Sequence, residues 1–361
     1  VKQTIAFRVD SGQKIGMGHV MRCVTLATRL KELGVASLFI CRPATGSIED
    51  KIVSAGFELK SLPPIELITN PPIGLMHGDF LPCSQIEDAQ ATLKALAERP
   101  DIKTIIVDHY GVFKPWDEII SKFHKIYKID DLADRDHECY GLLDQNFYLD
   151  MNSRYSDLMP QSARFIVGPK YALLRSIFQD LDISSRQSRQ NIKHALISFG
   201  GVDSFGYSLK VSKDILLQTN LSVTVMGQPR NSDIDEWQAL KSFYGDRLNG
   251  PSYLSDPIEA MMRADIYIGA GGTTTWERFA CGLPGIVYSI AENQIKMAQD
   301  LAAAGFQQYA GPIAQYQWEN LSQHLHKANN KDKLWFLAQK MRAEVDGRGA
   351  DRVIKAWDIL G

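Results

Sequence analysis

Cysteine pairing, a basic excess and a long apolar run are all missing from this chain, and each absence removes a class of protein. The five cysteines, Cys23, Cys41, Cys83, Cys139 and Cys281, are scattered, odd in number and never spaced Cys-x-x-Cys. They read as buried thiols of a reducing compartment and supply no zinc motif. Lys and Arg number 40 against 42 Asp and Glu, for a formal net charge of -2. Neither a nucleic acid nor a membrane surface is therefore expected as a partner. No apolar run approaches the ~20 residues of a membrane span. The opening Val1-Lys2-Gln3-Thr4-Ile5 carries no signal-peptide pattern, so a cytoplasmic location is expected. The signature Gly-x-x-x-x-Gly-Lys-Ser/Thr does not occur, which argues against a P-loop ATPase. His77, His109, His124, His137, His194, His324 and His326 show no metal-ligand spacing. Neither a metal nor a cofactor is expected.

What is present is an alternation of short apolar, β-branched runs with helical patterns, the signature of an α/β protein with mainly parallel sheets. The runs Thr4 to Val9, Ala36 to Ile40, Thr104 to Val107, Ile126 to Ile129 and Phe165 to Val167 predict strands in the first half. Ala195 to Phe199, Val223 to Met226, Ile266 to Ile268 and Gly285 to Tyr288 predict strands in the second. Val20, Val24, Ala27 and Leu30 follow helical spacing after His19, and Gly34 ends that helix. Leu62 to Pro82 contains five prolines and reads as a long irregular excursion. The polar stretch Gln179 to Asn191 reads as a linker. Two Rossmann-like domains are expected, over 1–180 and 190–361, with a cleft between them facing the carboxyl ends of the strands. A final helix from Lys331 to Ile359 is expected and can cross back onto the first domain.

Glycine turns mark the ends of several strands. Gly16-Met17-Gly18-His19-Val20-Met21-Arg22-Cys23 follows the first strand and opens a helix, placing His19 where an imidazole can meet a ligand. The positive end of the helix dipole favours a neutral ring that acts as a base, and Asp10 is the expected orienting group. Gly269 to Glu277 holds Gly271, Gly272, Thr273 and Thr274 at another strand-to-helix junction, where backbone N–H groups favour a phosphate. Glu277 can accept hydroxyl protons, as from a ribose; the alternative is a capping box with a threonine. Gly200-Gly201-Val202-Asp203 is a third such turn. Asn293 and Gln294 can hydrogen-bond a sugar or base, and Asn293 can equally cap the following helix. Asp108-His109-Tyr110-Gly111, Asp130-Asp131 and Asp144-Gln145-Asn146 also end strands. Arg175 can clamp a diphosphate with its fork; a solvated surface arginine is the alternative.

Taken together and in this order, these motifs resemble the UDP-sugar hydrolases of pseudaminic acid biosynthesis. Those enzymes are relatives of the cell-wall glycosyltransferase that makes lipid II. The resemblance rests on Arg8-Val9-Asp10-Ser11, Gly16 to Cys23, Asp108 to Gly111, Ile129-Asp130-Asp131-Leu132-Ala133, Tyr171-Ala172-Leu173-Leu174-Arg175, Ser198-Phe199-Gly200-Gly201, Gly269 to Glu277 and Glu292-Asn293-Gln294. It implies the glycosyltransferase-B fold, a UDP-sugar substrate and no metal. It implies inverting hydrolysis of UDP-2,4-diacetamido-2,4,6-trideoxy-β-L-altrose by water attack at the anomeric carbon. It assigns the base to His19 and a supporting catalytic role to Tyr110. It places UDP contacts on Arg175, Glu277 and Asn293; beside these, Gly16, Gly18, Arg22, Gly271, Gly272, Thr273, Thr274 and Gln294 are expected to bind substrate. The sequence departs from the family pattern after Gly200-Gly201, where Asp203 is followed by Ser204, Phe205 and Gly206. A glycosyltransferase on the same scaffold and a non-catalytic nucleotide-sugar binder are the rival readings.

Overall fold

The computed structural model describes residues 3–65, 75–252 and 257–360. The chain divides into two compact units, Val1–Asn146 with Asp150–Ser176 and Arg348–Gly361, and Phe147–Leu149 with Ile177–Gly347. It is α/β throughout, and every strand pairing in both sheets is parallel.

The first unit holds a seven-stranded sheet. Its strands are β1 (Thr4–Val9), β2 (Ala36–Cys41), β3 (Glu58–Ser61), β4 (Thr104–Asp108), β5 (Lys125–Ile129), β6 (Gly141–Asp144) and β7 (Arg164–Val167). They lie in the order β3-β2-β1-β4-β5-β6-β7. Period-2 alternation sends Ile5, Phe7, Val9 and Ile106 into one core, with Val20, Cys23, Leu26, Ala27 and Leu30 of the helix Gly18–Glu32. Ala6, Leu38, Ile105 and Val107 enter a second core on the opposite face, with Trp116 and Ile120. Gly34, at φ 87°, closes the helix in a conformation that suits glycine.

The second unit holds a six-stranded sheet ordered β10-β9-β8-β11-β12-β13. Its strands are β8 (His194–Ser198), β9 (Ser222–Met226), β10 (Leu248–Ser252), β11 (Ile266–Ala270), β12 (Gly285–Ser289) and β13 (Gln308–Pro312). All nine runs read from the sequence are strands. The edge strands β3, β10 and β13 were not foreseen: one is polar, and the other two carry the Gly-Pro pairs Gly250-Pro251 and Gly311-Pro312. A proline is tolerated in a strand that bonds on one side only.

Three expectations change. Gln179 to Asn191 is part of the second unit and is anchored in it. Arg186, 5% exposed, donates to the carbonyls of Met261, Ala264 and Cys281, and Arg189 to those of Met262 and Ala264. These arginines satisfy carbonyls left without intrahelical partners at the ends of the helices Ile258–Arg263 and Thr274–Ala280. The final helix is two helices, Lys331–Glu344 and Gly349–Trp357, the latter packing Val353, Ile354 and Trp357 into the first core. Of the proline-rich excursion, residues 66–74 lie outside the described residues; Gly78–Phe80 beyond them forms a 3-10 turn and Leu81 is buried.

A Cβ on Gly269 would stand 1.9 Å from the carbonyl oxygen of Ser198 on the neighbouring strand, whereas one on Gly272 meets nothing within 4 Å. Gly269→Ala is therefore expected to cost at least ~2 kcal/mol and to lower the second unit's melting temperature by roughly 4–8 °C. Gly272→Ala serves as the neutral comparison. Equal melting temperatures for the two variants in calorimetry would contradict this packing.

Candidate active site

The strand order reverses direction between β1 and β4, and in such sheets ligands bind beyond the carboxyl ends of the strands at that switch point. The first strand ends into Asp10, a loop, and the helix Gly18–Glu32. The loop is braced by Gly16 N–H donating to Gly12 O at 2.8 Å and Gln13 N–H to Thr45 O at 2.9 Å. Gly16 adopts φ 82°, and Gly18 is the first residue of the helix. His19 thus sits in the first helical turn, above the ends of β1 and β4.

His19 Nδ1 lies 2.6 Å from Asp108 Oδ1. Arg22, one turn along the helix, donates from Nε to Asp108 Oδ2 and from Nη2 to Asp108 Oδ1 at 2.7 Å. Its Nη1 donates to Asp131 Oδ2 at 3.0 Å. The Tyr110 hydroxyl donates to Asp131 Oδ1, and its ring meets the His19 ring edge-on with centroids 4.4 Å apart. Burial alone would push the Asp108 carboxyl up; Arg22 and His19 outweigh it and hold the group well below the usual carboxylate range. An ionised Asp108 is an acceptor only, so His19 Nδ1 carries the proton it donates, which in a neutral ring puts the lone pair on Nε2. Burial and the Asp131 carboxylate push the Tyr110 phenol well above its ordinary value, so it stays protonated and keeps donating.

Asp10 does not orient His19; Asp108 does. The alternation of the strands explains the exchange. Asp108 shares the parity of Ile106 and points to the face covered by the His19 helix, whereas Asp10 shares the parity of Ala6 and Arg8 and points to the other. There Asp10 binds Arg8, the backbone N–H of Arg42 at 2.7 Å and His109 Nε2 at 2.9 Å. Gly111 N–H donates to His109 Nδ1 at 2.9 Å, so His109 donates to Asp10 from Nε2. Burial lowers the pKa of His109 and keeps it neutral. Asp88 accepts from Arg8, Arg42 and Trp116 behind this layer. Arg22, expected at the substrate, is 6% exposed and committed to the two carboxylates instead.

Residues that the sequence reading passed over also reach this place. The rings of His77 and Phe80 lie near-parallel to that of Tyr110, at centroid distances of 5.6 and 6.2 Å. Nothing in the irregular stretch that carries them has a period to betray them. Among the described residues no group of His, Cys, Asp and Glu is arranged to hold a metal ion.

In the second unit the switch point falls between β8 and β11, and the turns Gly200-Gly201 and Gly271 to Thr274 follow those two strands. Gly271 is buried, Gly272 and Thr274 are half-buried and Thr273 is exposed. Thr273 stands at the cap position of the helix Thr274–Ala280 but makes no side-chain capping bond, so the capping-box alternative for Glu277 is not realised. Glu277 is half-buried in the first turn of that helix. Asn293 is exposed in the 3-10 turn Glu292–Gln294 and does not cap the next helix; Gln294 occupies the cap position and accepts from Ile290 N–H at 3.1 Å. Arg175 belongs to the first unit and is half-buried, just before the turn Ser176–Phe178.

The MurG structure from Acinetobacter baumannii matches the chain with a TM-score of 0.71, covering 99% of this chain and 100% of that one at 14% identity. The chain has the glycosyltransferase-B fold. The calicheamicin glycosyltransferase CalG4 matches with a TM-score of 0.64 at 14% identity, over 100% and 99% of the two chains. At such identities the likeness is one of fold. By sequence the chain is 28% identical over 214 residues to the UDP-2,4-diacetamido-2,4,6-trideoxy-beta-L-altropyranose hydrolase of Campylobacter jejuni, 58% of this chain and 65% of that protein. It is 24% identical over 291 residues to an uncharacterized protein of Methanocaldococcus jannaschii, 78% of this chain and 55% of that one. The chain therefore spans less than two thirds of the length of either curated relative. No family model matches it. Among the described residues no helix is long and apolar enough to cross a membrane.

The dyad geometry predicts that nitrogen-detected NMR on the wild-type protein finds His19 as the Nδ1–H tautomer. An Nε2–H tautomer would contradict the assignment. Asp108→Ala, which leaves Arg22 paired to Asp131 alone and strips its buried Nε and Nη2 donors of their acceptor, is expected to cost about 1.5–3 kcal/mol in denaturant titration.

Proposed function

We propose that this protein is an inverting hydrolase of a UDP-linked 2,4-diacetamido-2,4,6-trideoxy hexose of the L-altrose type, acting in pseudaminic acid biosynthesis. The observation that carries the reading is the Asp108–His19 pair, which leaves a basic nitrogen at the switch point of the first sheet. The likeness to the Campylobacter hydrolase supports the substrate class, and the fold supports nucleotide-sugar processing more broadly.

In this reaction a water gives a proton to His19 Nε2 as its oxygen bonds to the anomeric carbon. The carbon–oxygen bond to the diphosphate breaks, its electron pair leaves with UDP, and the configuration inverts. Asp108 holds the imidazole in the required tautomer and faces the imidazolium that forms, as in other carboxylate–histidine pairs. Tyr110, fixed by Asp131, forms a wall beside the ring. Arg175 and the N–H groups of Gly271 to Thr274 are the proposed diphosphate ligands, Glu277 the ribose ligand, and Asn293 and Gln294 further nucleotide contacts. A transferase would use the same base on an acceptor hydroxyl in place of water; its support is that MurG and CalG4 share the fold.

An NMR time course on the purified protein with the UDP-diacetamido sugar, with and without acceptor, separates these readings. Hydrolysis predicts UDP and a free reducing sugar of inverted configuration without acceptor. UDP release only in the presence of acceptor would make the protein a transferase, and tight binding without turnover a binder. His19→Asn is expected to lower kcat by about 10²–10⁴-fold while calorimetry shows UDP still bound. A wild-type rate in that variant would remove the base from His19.

A further inference from the structure

Beside His19 and Tyr110 stand two further rings, His77 and Phe80, that the proposed hydrolytic chemistry does not use. His77 and Phe80 stack at a centroid distance of 4.7 Å and 28°. His77 and Tyr110 stack at 5.6 Å and 20°, and Phe80 and Tyr110 lie at 6.2 Å and 25°. All three residues are half-buried. Tyr110 is held from behind by Asp131 and packs edge-on against His19.

The ledge is built at a cost. His77 adopts φ 57°, a left-handed conformation that disfavours a residue with a Cβ by about 1–2 kcal/mol. The segment around it is tied down on both sides. Met76 N–H donates to Asp134 Oδ2 at 3.0 Å, Arg135 donates to Met76 O, and Phe80 N–H donates to His77 O at 3.0 Å. Lys14, in the loop that delivers His19, pairs with Asp79. Burial lowers the pKa of His77, against the opposing effect of Asp79, so at neutral pH its ring is an uncharged stacking face.

We propose that His77, Phe80 and Tyr110 form a stacking ledge for the less polar face of the sugar, selecting a hexose that carries a C6 methyl and acetamido methyls. This rests on the hydrolase reading, because His19 acts at the anomeric carbon and that carbon is itself a member of the sugar ring. The nucleobase is separated from it by a ribose and a diphosphate. C–H groups and methyls pack on ring faces, whereas a hexose with a free C6 hydroxyl loses a hydration partner there without gaining one.

The test has two independent readouts. Saturation-transfer NMR with the free diacetamido-trideoxy sugar needs no turnover. With wild-type protein the C6 and acetyl methyl protons are expected to take up saturation from aromatic resonances, and His77→Ala and Phe80→Ala to reduce it at least threefold. Steady-state kinetics on the UDP-sugar should show KM raised about 2–10-fold in each alanine variant, with kcat within about twofold, and discrimination against UDP-N-acetylglucosamine reduced. His77→Phe, which keeps a ring, should restore both readouts and shows that the segment still folds. Unchanged methyl saturation in both alanine variants would overturn the ledge, as would a fall in kcat at constant KM. If the wild-type protein released no UDP while the methyl saturation behaved as stated, the hydrolase reading would fail and the sugar ledge would stand.

Discussion

The grip of Arg22 on two carboxylates is the interaction on which the rest of the first unit's site depends. Asp108 and Asp131 are almost fully buried, and buried charges are tolerated only when paired and hydrogen-bonded. Arg22 supplies three donors to the pair, leaving one oxygen lone pair of Asp108 for His19 and one of Asp131 for Tyr110. Behind it, Arg8 and Arg42 do the same for Asp10 and Asp88. Four carboxylates thus face three guanidiniums, one negative charge in excess. A proton on His19 would bring that count to zero.

Much of this was legible in the sequence. Strand runs, the glycine turn and the helix that follows it are local signals, and they placed His19 and Tyr110 at strand ends. The choice between Asp10 and Asp108 was not local. Both end apolar strands, and only the parity of each strand relative to the covering helix decides which carboxylate meets the histidine. That parity could have been counted from Phe7 and Ile106, had the helix been assigned to their face. His77 and Phe80 left no trace of this kind, because they come from a proline-rich stretch and reach Tyr110 through tertiary contacts alone. The polar stretch holding Arg186 and Arg189 misled for a related reason: arginines that bond carbonyls look, in sequence, the same as solvated ones.

The second unit repeats the logic with glycine where the first uses charge. Gly269 lets two strands approach at the switch point, and Gly227 leaves only 2.5 Å between its hypothetical Cβ and the Gly200 carbonyl. Val202 pairs with Gln228 in an isolated bridge, which ties the turn after β8 to the turn after β9. One unit therefore presents a titratable side chain at its strand ends, and the other presents main chain.

The helix Gly349–Trp357 has a consequence for the order in which the chain can fold. Its side chains Val353, Ile354 and Trp357 complete a core whose other members include residues of the helix Gly18–Glu32 and of strands from β1 to β7, and the Tyr127 hydroxyl donates to the Trp357 carbonyl at 2.8 Å. On the ribosome that core waits, unfinished, through the synthesis of the whole stretch Ile177–Gly347. The second unit, by contrast, has nearly all its residues in one uninterrupted run and can close before the first is complete. Vectorial synthesis would then favour a nascent chain whose later-made half is native while its earlier-made half still exposes apolar surface.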